Sequence, residues 1–224
     1  MHRALVKFCR KLEPKAFIFN GDAFDGASIS RHPPIGWEHA PTVAEELAAC
    51  QLRLGEIEAA LPAKTPKIWL LGNHDSRFET RLATVASEYA RVSGMHLRDH
   101  FGPWKTGWSA WINNDIVVKH RFKGGVHAAY QNAVSSGRTM VTGHLHSANV
   151  RPYTDYNGTR FGIDTGCIAD PEHEAFTDYT EDSPKNWISG FGVFSFRAGK
   201  LLWPELVTRW NDQTVQFRGE LIRV

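Results

Sequence analysis

Ala4, Leu5, Phe8, Cys9 and Leu12 recur at helical spacing, so the chain is predicted to open with an amphipathic helix over residues 2–13, stopped by Pro14. Residues 16–20 (Ala-Phe-Ile-Phe-Asn) read as a buried strand. A Gly/Pro-containing loop of about twenty residues follows from Gly21 to Pro41, a length that in compact domains usually serves function. Thr42 and Glu45 form a capping box for a second helix, which turns Val43, Leu47, Leu54, Ile57 and Leu61 toward a core and ends at Pro62. Residues 67–71 are predicted as a second buried strand and 77–90 as a third helix.

After Gly107 the pattern changes. Strands are predicted over 108–112, 116–120 and 138–142, with a short helix over 126–134. Strands over 148–153 and 159–163 flank Asp155-Tyr156-Asn157-Gly158, where Asn-Gly is expected to supply the two positive-φ positions of a hairpin turn. Strands over 191–196, 201–207 and 215–222 complete a β-rich second half. Alternating helices and strands followed by a β-rich portion predict a layered α/β arrangement. With 224 residues, no repeat and no evident linker, one domain spanning 1–224 is expected.

Composition narrows the function classes. Hydrophobic residues make up 42% and charged residues 22%, ordinary for a soluble globular protein. A net charge of +2 gives no whole-chain reason to expect nucleic-acid binding. No apolar run approaches the roughly 20 residues needed to span a bilayer, and the N-terminal residues lack the apolar core of a signal peptide. The 3 cysteines, Cys9, Cys50 and Cys167, form no CxxC pair and read as free thiols of a reducing compartment, so the expected location is cytoplasmic. The 11 histidines fit a metal site without proving one.

Three strand ends carry the candidate chemistry. Gly21-Asp22-x-x-Asp25 follows the first strand, Gly72-Asn73-His74-Asp75 the second, and Gly143-His144-Leu145-His146 the strand over 138–142; His120 closes the strand before that one. In open α/β sheets such carboxyl-terminal loops converge. If Gly143–His146 is extended, its two imidazoles point to the same side. Carboxylate, amide oxygen and imidazole suit Mn, Fe or Zn. Two such ions about 3.5–4 Å apart would clamp a phosphoryl oxygen and acidify a bridging water. His74 would then be free to protonate the leaving oxygen.

Taken together these motifs resemble the calcineurin-like metallophosphoesterase family, in order and approximate spacing over residues 21–146. Gly166-Cys167, Asn186-Trp187 and Gly190-Phe191 resemble phage and prophage members. The resemblance implies a four-layer α/β/β/α sandwich and two divalent ions, with manganese favoured. It implies metal ligands Asp22 (bridging), Asn73, His120 and His144 on the second ion and His146 on the first, with His74 as the catalytic histidine and Asp25 orienting it. The implied reaction is attack of metal-activated water on a phosphomonoester or phosphodiester, tilted by the phage resemblance toward a nucleotide or nucleic-acid diester.

Two departures qualify that implication. The family opens on a strand ending in Asp-x-His, whereas this chain begins inside what reads as the helix after it, so the first ion keeps only Asp22 and His146. His2 belongs to a helical stripe and reads as helix surface. Gly26 stands where some phosphatases of the family place an arginine after the aspartate; Arg31 and Arg77 are the candidate substitutes, although each also reads as an ordinary loop or surface residue. The alternatives are therefore a catalytically impaired binding or scaffold module and, less favoured, a protein phosphatase. His127 could simply begin a helix. Trp69, Trp187 and Trp203 fall in apolar runs and are expected in the core, while Trp37 and Trp104 lie in loops where they could line a pocket. Natural substrate and oligomeric state are not written in the sequence.

Overall fold

The computed structural model describes residues 1–32, 40–173, 176 and 180–224. The chain divides into two compact units, Phe8–Trp108 and Met1–Lys7 with Ser109–Val224. The mixed α/β class is the one expected. Trp37 lies outside the described residues.

Helix α1 (His2–Leu12) buries Ala4, Leu5, Phe8 and Cys9, and ends before Glu13, which turns left-handed (φ 44°) ahead of Pro14. Leu12, expected on the buried stripe, is 40% exposed because it occupies the last position of the helix. In the unit Phe8–Trp108, β1 (Phe17–Phe19), β2 (Lys67–Leu70) and β3 (Lys105–Gly107) form a parallel sheet in that order, with Phe19 opposite Trp69. β3 had no counterpart in the sequence reading: Lys-Thr-Gly carries no apolar run, and the Leu71 N–H donating to the Gly107 carbonyl is what extends the pairing. Helix α2 (Val43–Ala60) connects β1 to β2 and starts with the expected capping box, Thr42 Oγ1 accepting from the Glu45 N–H while the Glu45 carboxylate accepts from the Thr42 N–H. Helix α3 (Asp75–Val85) begins two residues earlier than predicted and ends earlier too, the chain continuing as a 3₁₀ turn at Ser87–Tyr89. Trp104 is buried rather than pocket-lining, its Nε1 donating to Glu58 at 2.5 Å.

In the second unit, β4 (Ala110–Ile112), β5 (Ile116–Val118), β6 (Thr139–Thr142), β7 (Asn149–Asp155) and β8 (Gly158–Asp164) form a sheet of order β4-β5-β6-β8-β7. Its three central strands, β5, β6 and β8, are mutually parallel, and helix α4 (Ala128–Ser136) crosses from β5 to β6. Their all-buried Ile116–Val118 and Thr139–Thr142 segments fit strands covered on both faces. The β7–β8 hairpin forms, yet only Gly158 (φ 103°) has positive φ; Asp155 Oδ1 accepts the Asn157 N–H, and the chain turns at Tyr156-Asn157 with Asp155 paired to Gly158.

Strands β9 (Gly190–Val193), β12 (Glu205–Asn211), β13 (Thr214–Phe217) and β14 (Glu220–Arg223) make a second sheet in the order β14-β13-β12-β9, and β10 (Phe196–Arg197) pairs with β11 (Lys200–Leu201). The predicted single strand over 215–222 is in fact the β13–β14 hairpin, turned at Arg218 (φ 53°) and Gly219 (φ 78°). Trp203, expected in the core, is 63% exposed because it falls between β11 and β12 and rests edge-on against Phe161. No helix among the described residues is long and apolar enough to cross a membrane.

Candidate metal and phosphoester site

The parallel pairing of β1 and β2 brings two of the motif loops out of adjacent strand ends. After β1 the chain reverses through two successive left-handed residues, Gly21 (φ 89°) and Asp22 (φ 55°). Asp22 Oδ1 accepts the His74 N–H at 2.9 Å, and the Asp22 N–H donates in turn to Asp75 Oδ2 at 2.7 Å. Asp75, fully buried in the first turn of α3, also accepts from the N–H groups of Phe24 (2.9 Å) and Gly72 (2.7 Å) and from Trp69 Nε1 (3.1 Å). One carboxylate thus ties both loops to the core tryptophan. Burial pushes the Asp75 carboxyl up to about 6, while its backbone donors act in the opposite direction.

Asn73 sits between these anchors, its carbonyl held by Ser76 Oγ at 2.9 Å. Its side-chain Oδ1 is sealed from solvent and has no hydrogen-bond partner among the described residues. A buried acceptor without a donor is costly in a protein interior, and an amide oxygen in that state is the donor atom a hard or borderline cation requires.

Beyond Asp22 the loop places Asp25 Oδ1 against His74 Nδ1. Arg77, one turn into α3, donates from Nη1 to the Asp25 carbonyl (2.9 Å) and Oδ1 (3.2 Å), and from Nη2 to His74 Nε2 (3.3 Å). Since guanidinium can only donate, Nε2 accepts and the imidazole proton resides at Nδ1, facing Asp25. Burial works to raise the Asp25 pKa, but the hydrogen bond from His74 and the charge of Arg77 outweigh it and hold the carboxyl below its usual range. Gly26 could not carry the arginine found after the aspartate in some phosphatases. Its φ is +64°, and a Cβ there would stand 2.8 Å from the Phe24 ring and 3.3 Å from Arg77 Cβ. The guanidinium that stands beside Asp25 and His74 is that of Arg77. Arg31 is exposed, and no contact ties it to this group among the described residues.

Helix α2 braces the same loop. Buried Glu46 accepts the N–H groups of Ala27 and Gly26, and Cys50 Sγ donates to the Ala23 carbonyl at 2.9 Å. Burial, then the charge of Asp25, pushes the Glu46 carboxyl up.

In the other unit, His120 and His144 follow the carboxyl ends of the parallel strands β5 and β6, and Asp164 is the last residue of β8 beside them. The His120 carbonyl accepts the N–H groups of Gly143 (3.1 Å) and His144 (3.2 Å), which locks the two loops together. His120 is buried, and its Nε2 stands 3.2 Å from His144 Nδ1. Two nitrogens each about 2.1 Å from one ion, at about 100° to each other, would be about 3.2 Å apart, so this spacing fits two ligands of a shared cation.

Gly143–His146 is not extended. The His146 N–H closes a turn onto the Gly143 carbonyl, and His146 is left-handed (φ 60°), so strand alternation does not set the direction of its ring. The ring packs edge-on against Trp187 at 4.7 Å between centroids, and the His146 carbonyl accepts the Ile188 N–H at 2.7 Å. This explains the Gly166, Trp187 and Gly190 signals. A Cβ on Gly166 would lie 2.3 Å from the Ile188 carbonyl, and one on Gly190 2.8 Å from that of Val207, so both glycines allow the segment behind His146 to close up.

The model of the calcineurin-like phosphoesterase family matches residues 2–160, a span that takes in Asp22, Asn73, His74, His120, His144 and His146. The chain belongs to the calcineurin-like phosphoesterase family. Its mixed α/β fold agrees with that membership, which makes metal-dependent hydrolysis of phosphoric esters the family-level chemistry of the site. The chain is also similar to the Gene 54 protein of Mycobacterium phage D29, 24% identical over 221 residues that cover 92% of this chain and 86% of that protein, in keeping with a phage-type member.

Family membership leaves three structural residues that the sequence reading passed over. Asp75 was noted only as the last letter of its motif, although its position in the first turn of a helix favours a carboxylate. Glu46 looked like an ordinary helix residue. Asp164 ends β8 one residue past the predicted strand; it is 2% exposed, its Oδ1 accepts the Gly166 N–H at 2.9 Å, and its Oδ2 has no partner among the described residues. Burial pushes its carboxyl up to about 6, against the pull of the Gly166 and Leu145 N–H groups. His127 is the exposed N-cap residue of α4.

Proposed function

We propose that the chain is a phosphoester hydrolase using two divalent ions, manganese favoured, and that its two units act as one catalytic domain. The observation that carries this reading is the sealed, partnerless Oδ1 of Asn73 beside the fixed carboxylate of Asp22. We assign Asp22, Asn73, His120 and His144 to one ion and Asp22 and His146 to the other. The support is the family match, which runs across both units, together with the donor chemistry of each half-site. Bound divalent ions would supply Lewis acidity toward a phosphoryl oxygen and a water acidic enough to attack near neutrality.

His74 is the general acid in this reading. Asp25 holds its Nδ1 proton and fixes the ring, leaving Nε2 to face the leaving oxygen. Arg77 now occupies Nε2 as a donor. An anionic phosphoryl oxygen is a stronger acceptor than neutral imidazole. An arriving ester would therefore draw the guanidinium to itself and free Nε2 to take up a proton from solvent, which the ring then gives to the leaving oxygen while Nδ1 keeps its own proton on Asp25. Arg77, rather than Arg31, is the substrate-binding arginine we favour.

The substrate class proposed is a phosphodiester of the nucleotide or nucleic-acid type, and the compartment a cytoplasm, where the unpaired thiols of Cys9, Cys50 and Cys167 would persist. Comparing kcat/KM of the manganese-loaded protein on p-nitrophenyl phosphate and bis(p-nitrophenyl) phosphate tests the substrate class. The diester should be preferred; a preference for the monoester by tenfold or more would overturn that choice.

A further inference from the structure

We propose that residues 119–126, which leave β5 through His120, form a docking strip for a single unpaired polynucleotide strand, with Phe122 stacking on a base and Arg121 and Lys123 meeting the phosphates on either side. This inference rests on the hydrolase reading of the neighbouring His120 and names the substrate of that same site.

Phe122 is 42% exposed on the loop that leaves His120, itself 4% exposed, so an apolar ring is exposed two residues along the chain from a candidate ligand. The loop is fixed on both sides of that ring. Upstream, the His120 carbonyl accepts two N–H groups from Gly143 and His144. Downstream, the Lys123 N–H donates at 3.0 Å to Oδ1 of Asn132, a fully buried residue of α4. A ring held this way loses little freedom on stacking, which favours binding.

The charge around it is of one sign. Lys119 Nζ and Lys123 Nζ lie 5.6 Å and 5.3 Å from the centroid of the Phe122 ring, and Arg121 is exposed between them. None of these three cations enters an ion pair among the described residues. Between Asp115 and Asp155 the chain has no carboxylate side chain at all, while it carries Lys119, Arg121, Lys123, Arg138 and Arg151. An exposed aromatic ring covered only by flexible lysines that no carboxylate holds is the recognition chemistry of single-stranded nucleic acid, where the ammonium groups move to the phosphates and a base stacks in their place. A paired duplex would offer the phosphates but hide the base faces, and a phosphopeptide would use the arginine but leave the ring idle.

The test is fluorescence anisotropy of short oligothymidylate and oligouridylate with hydrolysis-resistant phosphorothioate backbones, titrated with the full manganese-loaded chain. Phe122→Ala and Phe122→Leu should each weaken binding about tenfold, the order expected for one lost stacked base. Arg121→Ala with Lys123→Ala should lower the slope of log affinity against log salt by about 1.4, two phosphate contacts on a single strand. Arg53→Ala, on α2, should change neither, and the melting temperature of each variant verifies folding. Absent binding, equal binding of duplex or phosphopeptide, or affinity untouched by Phe122→Ala and Phe122→Leu would overturn the proposal. Turnover of bis(p-nitrophenyl) phosphate by the unmodified chain separates the two readings: turnover without oligonucleotide binding sinks the docking strip alone, and binding without turnover sinks the hydrolase alone.

Discussion

A Cβ added to Gly72 would stand 2.0 Å from Oδ1 of Asp22. The glycine of the second motif is therefore a condition for the carboxylate of the first, and the two loops can approach only because position 72 has no side chain. Gly72→Ala should force Asp22 out of place, lowering stability by about 1–3 kcal/mol and manganese affinity by at least tenfold. Calorimetric titration with manganese, alongside thermal melts, checks both.

Asp75 is predicted to be a positioning residue. Asp75→Asn keeps the volume but replaces one acceptor oxygen with a donor, facing N–H groups that now donate to the carboxylate. A loss of about 3 kcal/mol is expected from broken buried hydrogen bonds to a charged group, a fall of roughly 6–12 °C in melting temperature for a chain of this size. Metal affinity should fall with it. An Asp75→Asn protein that melts like the unsubstituted chain would remove Asp75 from this role.

For the proton-handling group, His74→Ala should lower kcat on a diester with a poor leaving group by about 10²–10⁴-fold, and much less with p-nitrophenolate, which leaves without protonation. Asp25→Asn should follow the same leaving-group pattern more weakly. Arg77→Ala should raise KM about tenfold and alter kcat less, and Arg77→Lys should not restore it, because ammonium lacks the planar fork. Steady-state kinetics on an ester series distinguishes these effects.

The acid sensitivity of the β7–β8 hairpin has a definite sign. The Arg160 hydrogen bond, then the Asn157 N–H, pulls the Asp155 carboxyl from 3.8 down to about 2. A carboxyl whose folded pKa is depressed contributes stability that is complete above the unfolded value and lost as pH falls through the folded one. The melting-temperature difference between the unsubstituted chain and Asp155→Asn should therefore be constant above about pH 4 and close between about pH 4 and 2.

The elements that sequence made legible are those governed by local rules. Thr42 and Glu45 cap α2 as expected because a capping box involves only neighbours, and Asp22, Asn73, His120 and His144 follow strand ends because apolar runs mark parallel strands, although β1, expected buried, is only half-buried. What escaped depends on partners distant in sequence. Asp75 acquires its role from N–H groups on the loop after β1, and the Gly166 and Gly190 constraints come from carbonyls of Ile188 and Val207. Trp203 is apolar but falls between two strands, where no second layer covers enough of its ring to bury it. The left-handed His146 could not be read from a two-residue alternation, since histidine only occasionally takes that conformation.

The central claim is that Asn73 lends its buried oxygen to a catalytic divalent ion. Turnover of bis(p-nitrophenyl) phosphate should be measured against manganese concentration for the unsubstituted chain and for Asn73→Ala, with thermal melts confirming that both are folded. The account predicts saturable, chelator-sensitive turnover in the former and, in Asn73→Ala, a loss of at least a hundredfold at the same manganese concentration. Metal-independent turnover, no turnover at all, or an Asn73→Ala protein with an unchanged manganese response would contradict it.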